Sequence, residues 1–513
     1  MVILPYSDVE LTNVLSNNYT PVSVISKKYH YIYFKDYLGP HGLQAKTILV
    51  EDDYVSKDFL HDYASYYAFC FEKYPKFCKR IHFFSESFNE DDFKKAMLSK
   101  GSEQEEIWNS YLGFIVVKPI PTKVVGFTVL KTFDSGADFG MRYFWGVRDY
   151  SIHLYGNELK LKSLAFQEQD SVLAACATTA IWSMLNKASI DFHTILKSPS
   201  QITKDADNVS PDGSRLFPNK GLNLLQICQA IFNSGLVSEV KQPDLEIRDA
   251  SGNVAKFVSS LYLKKILNAY SAIGIPIILV INVPIGSERG LHAITVTGYK
   301  QNPPTLLPPQ PEIGWLASNI EKLYAHDDQW GPFARIKFLN DYEIETPWTV
   351  FNSTNQPTLV TNIVVPVYPK VRISYEDIEV IVLGLDRILT FFFSTKIVAD
   401  LVWDIKIDYS ETFKKQLKQS ILDPSEILNL LEKSMPKYLW IGTCYIGTFK
   451  VLEFSFDATD VNNGMIGEGI ICYLEPSIRA TLKTFLVANK SVLHSLFNHA
   501  ASSNYYDFIC DNI

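Results

Sequence analysis

The chain has 513 residues, room for about three domains at ~150 residues each. With 47% hydrophobic and 20% charged residues it can bury sizeable cores, which excludes wholesale disorder. A formal net charge of −8 argues against a general nucleic-acid binder, which would present a basic surface.

In chain order, the start (Met1-Val2-Ile3-Leu4-Pro5) lacks the basic residues and long apolar stretch of a secretory signal. Aromatic residues crowd the first part, as in Tyr29 to Tyr37, and Phe59, Tyr63, Tyr66, Tyr67 and Phe71 recur at helical spacing. Asn89 to Gln104 reads as a helix followed by an exposed loop. Tyr111 to Lys118 is a β-branched strand halted by Pro119 and Pro121. A strand pair is expected around Tyr150 to Leu164, then a long helix from Leu173 to Lys187. Asn223 caps a second helix that ends before Gly235. Strands follow at Ile275 to Val283 and His292 to Tyr299, then a Pro-rich loop, then a strand reaching Ala325. The apolar run Gly274 to Gly286 is too short to span a bilayer and carries Pro276 and Pro284, so no membrane segment is expected. From about Pro366, helices are expected at Ser410 to Leu422, Ser425 to Met435 and Ile478 to Leu496. Between the last two, Leu439 to Ile446, Phe449 to Phe456 and Gly469 to Leu474 form an antiparallel meander. The expectation is an α+β protein of three parts: 1–155, 156–365 and 366–513.

The seven cysteines are an odd number without any Cys-x-x-Cys pair, against a zinc cage or a disulfide framework. Reduced thiols suit a soluble, cytoplasmic protein. The chain has no Gly-rich nucleotide loop, no HExxH and no GxSxG. Asp457 to Gly464 lacks the closing Glu of a calcium loop and reads as a hairpin turn. Cys228, Cys444 and Cys472 lie in apolar elements and read as core.

Cys176 stands apart, near a helix start after the polar approach Gln167-Glu168-Gln169-Asp170-Ser171. Helix N-terminal N–H groups carry positive potential, which favours a thiolate and can hold an oxyanion. His292 follows a glycine-containing turn and leads a β-branched strand. Asp327, with Asp328 beside it, closes the next strand and could orient an imidazole.

Gln169, Cys176, His292 and Asp327, in that order, resemble the papain-like cysteine peptidase superfamily. The likeness is to its compact bacterial forms, such as the double-glycine leader peptidases of bacteriocin exporters. The helix introduced by Lys220-Gly221-Leu222 and the strand Gly274-Ile275-Pro276-Ile277-Ile278-Leu279-Val280 before the histidine strand belong to the same likeness, which spans about residues 160 to 355. It implies a central papain-like domain flanked by α+β accessory domains. It also implies a thiol-dependent peptidase or amidase acting on a protein or peptide, with neither metal nor organic cofactor. In that scheme Cys176 is nucleophile, His292 base, Asp327 orienter, and Gln169 an oxyanion donor. Gln167 is the alternate donor; Asp328 and Asn352 are alternates for the third role. The long flanks suggest latency relieved by a regulatory protein partner or another signal. Two other classes remain open: a degenerate module that binds a peptide or partner, and a thiol acyltransferase of transglutaminase type.

Overall fold

The computed structural model describes residues 1–98, 105–133, 140–170, 175–206, 221–248, 252, 254–285, 288–303, 313–351, 356–393, 400–461, 467–494 and 503–513. The chain is mixed α and β, with predominantly antiparallel sheets. It divides into two compact units. The first comprises Met1–Val258, Ile275–Lys300 and Lys322–Pro366; the second comprises Ser259–Gly274, Gln301–Glu321 and Val367–Ile513. Residues on both sides of position 155 therefore belong to the first unit.

The first unit contains two main sheets. Val2–Pro5, Thr47–Tyr54, Cys78–Phe84, Tyr111–Val117 and Val125–Leu130 form a five-stranded sheet in that order. Tyr111–Val117 is buried along its whole length, which explains its unbroken apolar run. In the second sheet, Ile277–Ile285 pairs with Glu288–Gln301 on one side and with Thr358–Val367 on the other. The path between them passes through Ile320–Asp327, Gly331–Phe338 and Glu343–Glu345, so the pairings close into a ring. The strand pair expected near Tyr150 is Arg148–Leu154 with Asn157–Ser163, its buried residues alternating as the pleat requires.

One apolar core joins the halves of this unit. Leu11, Phe34, Ile81 and Ile115 pack in the same cluster as Leu164, Phe166, Tyr324 and Phe333. The Cys176–Asp191 helix is buried on most of its faces, with Trp182 fully enclosed and edge-on to Phe127 at 5.7 Å. It starts three residues later than periodicity places it; 171–174 lie outside the described residues. After the intervening helix Pro199–Ala206, the helix Leu224–Phe232 has the full capping box of Asn223 and Gln226.

In the second unit, Tyr438–Ile446, Phe449–Asp457 and Gly467–Cys472 form the expected antiparallel meander, and Leu401–Tyr409, not anticipated, extends it. Gly314–Trp315 adds to it in parallel. Trp403 and Trp440 are buried here, their indole N–H groups donating to Asp386 Oδ1 and the Ile373 carbonyl. The helix Tyr375–Phe393 was not anticipated. The helix expected from Ile478 to Leu496 is interrupted at Asn489, whose side chain bonds back to the Phe485 carbonyl. That leaves Pro476–Ala488 and Lys490–His494. Among the described residues, no helix is long and apolar enough to cross a membrane.

Candidate active site

Cys176 is the first residue of its helix, after the N-cap Ala175, and is half-buried. Its backbone N–H is among the first-turn donors that no carbonyl within the helix can reach. One turn further on, the Ala180 carbonyl accepts a 2.9 Å hydrogen bond from Thr295 Oγ1. Thr295 lies three residues past His292 on its strand, so this bond ties the cysteine helix to the histidine strand. His292 sits opposite Ile281 within the ladder and not at its mouth, because pairing continues to Ile285 and Glu288.

The imidazole of His292 is buried and meets three groups. Nε2 lies 3.0 Å from Asp327 Oδ1, and the Cys176 side chain lies close enough to the ring to favour its protonated form. With Nε2 engaged by Asp327, Nδ1 is the nitrogen left for the thiol. Asp328 Oδ1 approaches Nε2 to 3.3 Å, yet neither Asp328 oxygen has a hydrogen bond of normal geometry. Burial works against a charged imidazole. The charge and hydrogen bond of Asp327, the nearby Cys176 side chain and the charge of Asp328 outweigh it, so His292 is held well above the usual histidine range. Burial likewise pushes Asp328 up to about 7; the charge of His292 opposes this and that of Asp327 adds to it.

Asp327 is held from three directions. Oδ1 also accepts from the Gln329 backbone N–H at 3.1 Å, and Oδ2 accepts from Trp348 Nε1 at 2.8 Å. The Trp348 ring stands edge-on to His292, with centroids 5.3 Å apart. These contacts fix both the carboxylate and the plane of the imidazole.

The turn carrying both carboxylates is braced by the helix Tyr29–Leu38. His30 Nε2 donates to the Asp328 carbonyl at 2.8 Å, Tyr33 Oη donates to the Pro332 carbonyl at 2.5 Å, and Tyr29 stacks on Trp330 at 4.3 Å. Burial pushes His30 down to about 4, so it is neutral at pH 7 with its proton on Nε2. Behind it, the buried Glu168 receives Lys28 at 2.6 Å and Lys123 at 3.4 Å. Burial alone would raise the Glu168 carboxyl; the charges of His30, in its protonated form at acid pH, and of Lys28 and Lys123 bring it below its ordinary value. His326, next to Asp327, is a framework residue: Nε2 donates to the Leu164 carbonyl and Nδ1 accepts from the Phe333 N–H.

Cys176, His292, Asp327 and the alternate Asp328 are thus brought together. Gln169 is half-buried, whereas Gln167 is buried with a side-chain N–H2 that has no acceptor. Asn352 lies outside the described residues. Sequence reading gave no role to Trp348 or His30. Nothing local marks either residue out from other tryptophans and histidines. A cavity of about 680 Å³ lies in the second unit, lined by Leu417, Ile421, Phe449, Val451 and Tyr473 among others, and none of the site residues borders it.

The site joins a half-buried thiol to a buried imidazole–carboxylate pair with a second buried carboxylate beside it. Set against models of known protein families and against curated proteins, the chain matches none.

Proposed function

We propose that the first unit carries a thiol-dependent hydrolase of papain-like type, a peptidase or amidase with Cys176 as nucleophile. The observation that carries this reading is His292 hydrogen-bonded to Asp327 with the Cys176 side chain beside the same ring. A nucleophile, a base and a group that orients the base are the three parts such a reaction needs.

His292 takes the thiol proton, and the sulfur of Cys176 attacks the substrate carbonyl to give a tetrahedral oxyanion. The backbone N–H of Cys176 and a glutamine side chain donate to that oxygen. Gln169 is the residue that the family likeness selects. Gln167 is favoured by its buried donor without an acceptor, since such groups are rarely left idle. Collapse returns the proton from His292 to the leaving amine and leaves an acyl-thioester. Water, deprotonated by His292, then releases the acid and the free thiol. Asp327 holds the ring and balances its positive charge throughout. The closed strand ring that carries His292, set against the helix that carries Cys176, is consistent with a papain-like architecture. A protein or peptide substrate, a regulatory partner and a cytoplasmic setting complete the proposal.

The test is competitive labelling of the full chain with limiting iodoacetamide at neutral pH, read by mass spectrometry. Cys176 should be modified before Cys70 and Cys510, and His292→Ala should remove that preference and abolish turnover of unstructured peptides. Preferential labelling of Cys70 or Cys510 would sink the assignment. A reactive Cys176 that passes the acyl group to an added amine in place of water would move the protein to the acyltransferase class.

A further inference from the structure

Asp328 is not needed for the chemistry above, yet its carboxylate is buried, 4% exposed, and turned toward the same imidazole nitrogen as Asp327. Neither of its oxygens accepts a hydrogen bond, although a carboxylate withdrawn from water normally requires donors or a counter-charge. The charges of His292 and, from further off, Lys123 act on it, but the His292 ring is shared with Asp327, and Lys28 and Lys123 pair with Glu168. Two carboxylates facing one imidazole therefore leave an excess of buried negative charge.

We propose that His292 Nε2, Asp327 and Asp328 form a binding site for a divalent transition-metal ion of the Zn²⁺ class, and that occupation of this site switches the thiol chemistry off. Nε2 lies 3.0 Å from Asp327 Oδ1 and 3.3 Å from Asp328 Oδ1, and ligand atoms of all three residues fall within 4.8 Å of one another. Zinc bonds to nitrogen and oxygen of roughly 2.0–2.2 Å place neighbouring ligand atoms about 3.0–3.5 Å apart, so little movement is required. Two carboxylates and a neutral imidazole balance a divalent charge. The outer contacts expected of a metal site are also present. Trp348 Nε1 and the Gln329 N–H hold the Asp327 carboxylate, and His30 fixes the Asp328 main chain.

The regulatory half rests on the hydrolase reading. A metal on Nε2 confines the proton of the neutral ring to Nδ1, the side left for Cys176. The imidazole then cannot accept the thiol proton, so the base is lost while the cysteine remains in place. This would give a reversible off-state in which Asp328 completes the ligand set.

The binding half is tested without any turnover. Chelator-stripped full-length protein carrying Cys176→Ala is titrated with ZnCl₂ by calorimetry and with CoCl₂ by visible absorption. One equivalent should bind with a Kd in the micromolar range or tighter. Asp328→Asn and His292→Ala, each added to Cys176→Ala, should weaken binding at least tenfold. X-ray absorption of the zinc-loaded Cys176→Ala protein should show a nitrogen and oxygen shell near 2.0 Å, a readout that does not depend on the folding of the double variants. No binding by the parent at 100 µM metal overturns the site, as does undiminished binding in both variants or a sulfur ligand near 2.3 Å. The switch is tested in the chain with Cys176 intact: saturating Zn²⁺ should slow Cys176 alkylation at least tenfold, with recovery on chelation. Alkylation unchanged by bound metal overturns the switch. A chain that binds metal but never hydrolyses a peptide overturns the hydrolase reading and leaves the metal site standing.

Discussion

At the scale of single residues, the two adjacent aspartates are not equivalent. Asp327 accepts the His292 Nε2 hydrogen bond and is itself held by Trp348 and Gln329, whereas Asp328 lies near the ring without a hydrogen bond. Asp327→Asn should therefore lower kcat more than Asp328→Asn, as peptide turnover under metal-free conditions will measure. Trp348→Phe keeps an aromatic edge against His292 but removes the donor to Asp327 Oδ2. A hydrogen bond to a charged group contributes about 1.5–3 kcal/mol, so kcat should fall about tenfold or more with KM little changed. Away from the site, burial pushes the Asp62 carboxyl from its ordinary 3.8 up to about 7; Lys118 opposes the rise, while Asp170 and Asp58 add to it. The folded chain thus binds this proton more tightly than the unfolded chain. Stability from this group is full below pH 4 and is lost as pH rises through about 7. Asp62→Asn should accordingly raise stability on the order of 2–4 kcal/mol at pH 8, with the gain shrinking toward zero near pH 4. Denaturant melts at both pH values check this.

At the scale of elements, the position of the carboxylate turn is set by the helix Tyr29–Leu38 as much as by its own strands. Gly331 is the point of closest approach: a Cβ there would lie 2.1 Å from the Tyr33 ring, closer than any real contact. Gly331→Ala must push that ring or the turn aside and should cost roughly 1–3 kcal/mol of stability. Tyr33→Ala removes the obstacle, so the double variant should be more stable than the sum of the single losses requires. A double-mutant cycle in denaturant measures this coupling, and strict additivity would mean that the helix does not constrain the turn. The Cys176 helix is tied in the same manner through Thr295 and Ala180. Both Cys176 and the carboxylates thus depend on contacts with elements distant in sequence.

At the scale of the whole molecule, residues 1–155 share a core with the site-bearing segment. Phe166, Tyr324 and Phe333 are packed among Leu11, Phe34, Ile81 and Ile115. A fragment of residues 156–365 would expose that face and lose His30 and Tyr33 from beneath the carboxylate turn. It should express as insoluble or unfolded protein, detectable by circular dichroism and limited proteolysis. A folded fragment that turns over peptides faster than the full chain would instead show that the N-terminal segment acts as a brake. The shared core makes this segment a support for the site, and it leaves the metal position at His292 as the place where latency can be built in.

The sequence by itself determined the elements whose signals are local. The meander at Tyr438–Cys472, the capping box at Asn223 and the strand Tyr111–Val117 follow from periodicity, side-chain caps and β-branched runs, all of which act within a few residues. It also pointed to Cys176, His292 and Asp327, from an expected helix start and two expected strand ends, although His292 lies inside its ladder. Tertiary structure alone decided what surrounds them. Trp348 reaches Asp327 across a fold-back of the sheet, and His30 reaches Asp328 from nearly three hundred residues away, with no sequence pattern linking either pair. The choice between Asp327 and Asp328 likewise turned on which carboxylate meets donors once the strands had paired. Both carboxylates approach the same imidazole nitrogen, and only the packed structure shows that Asp327 alone is met by the Trp348 and Gln329 donors.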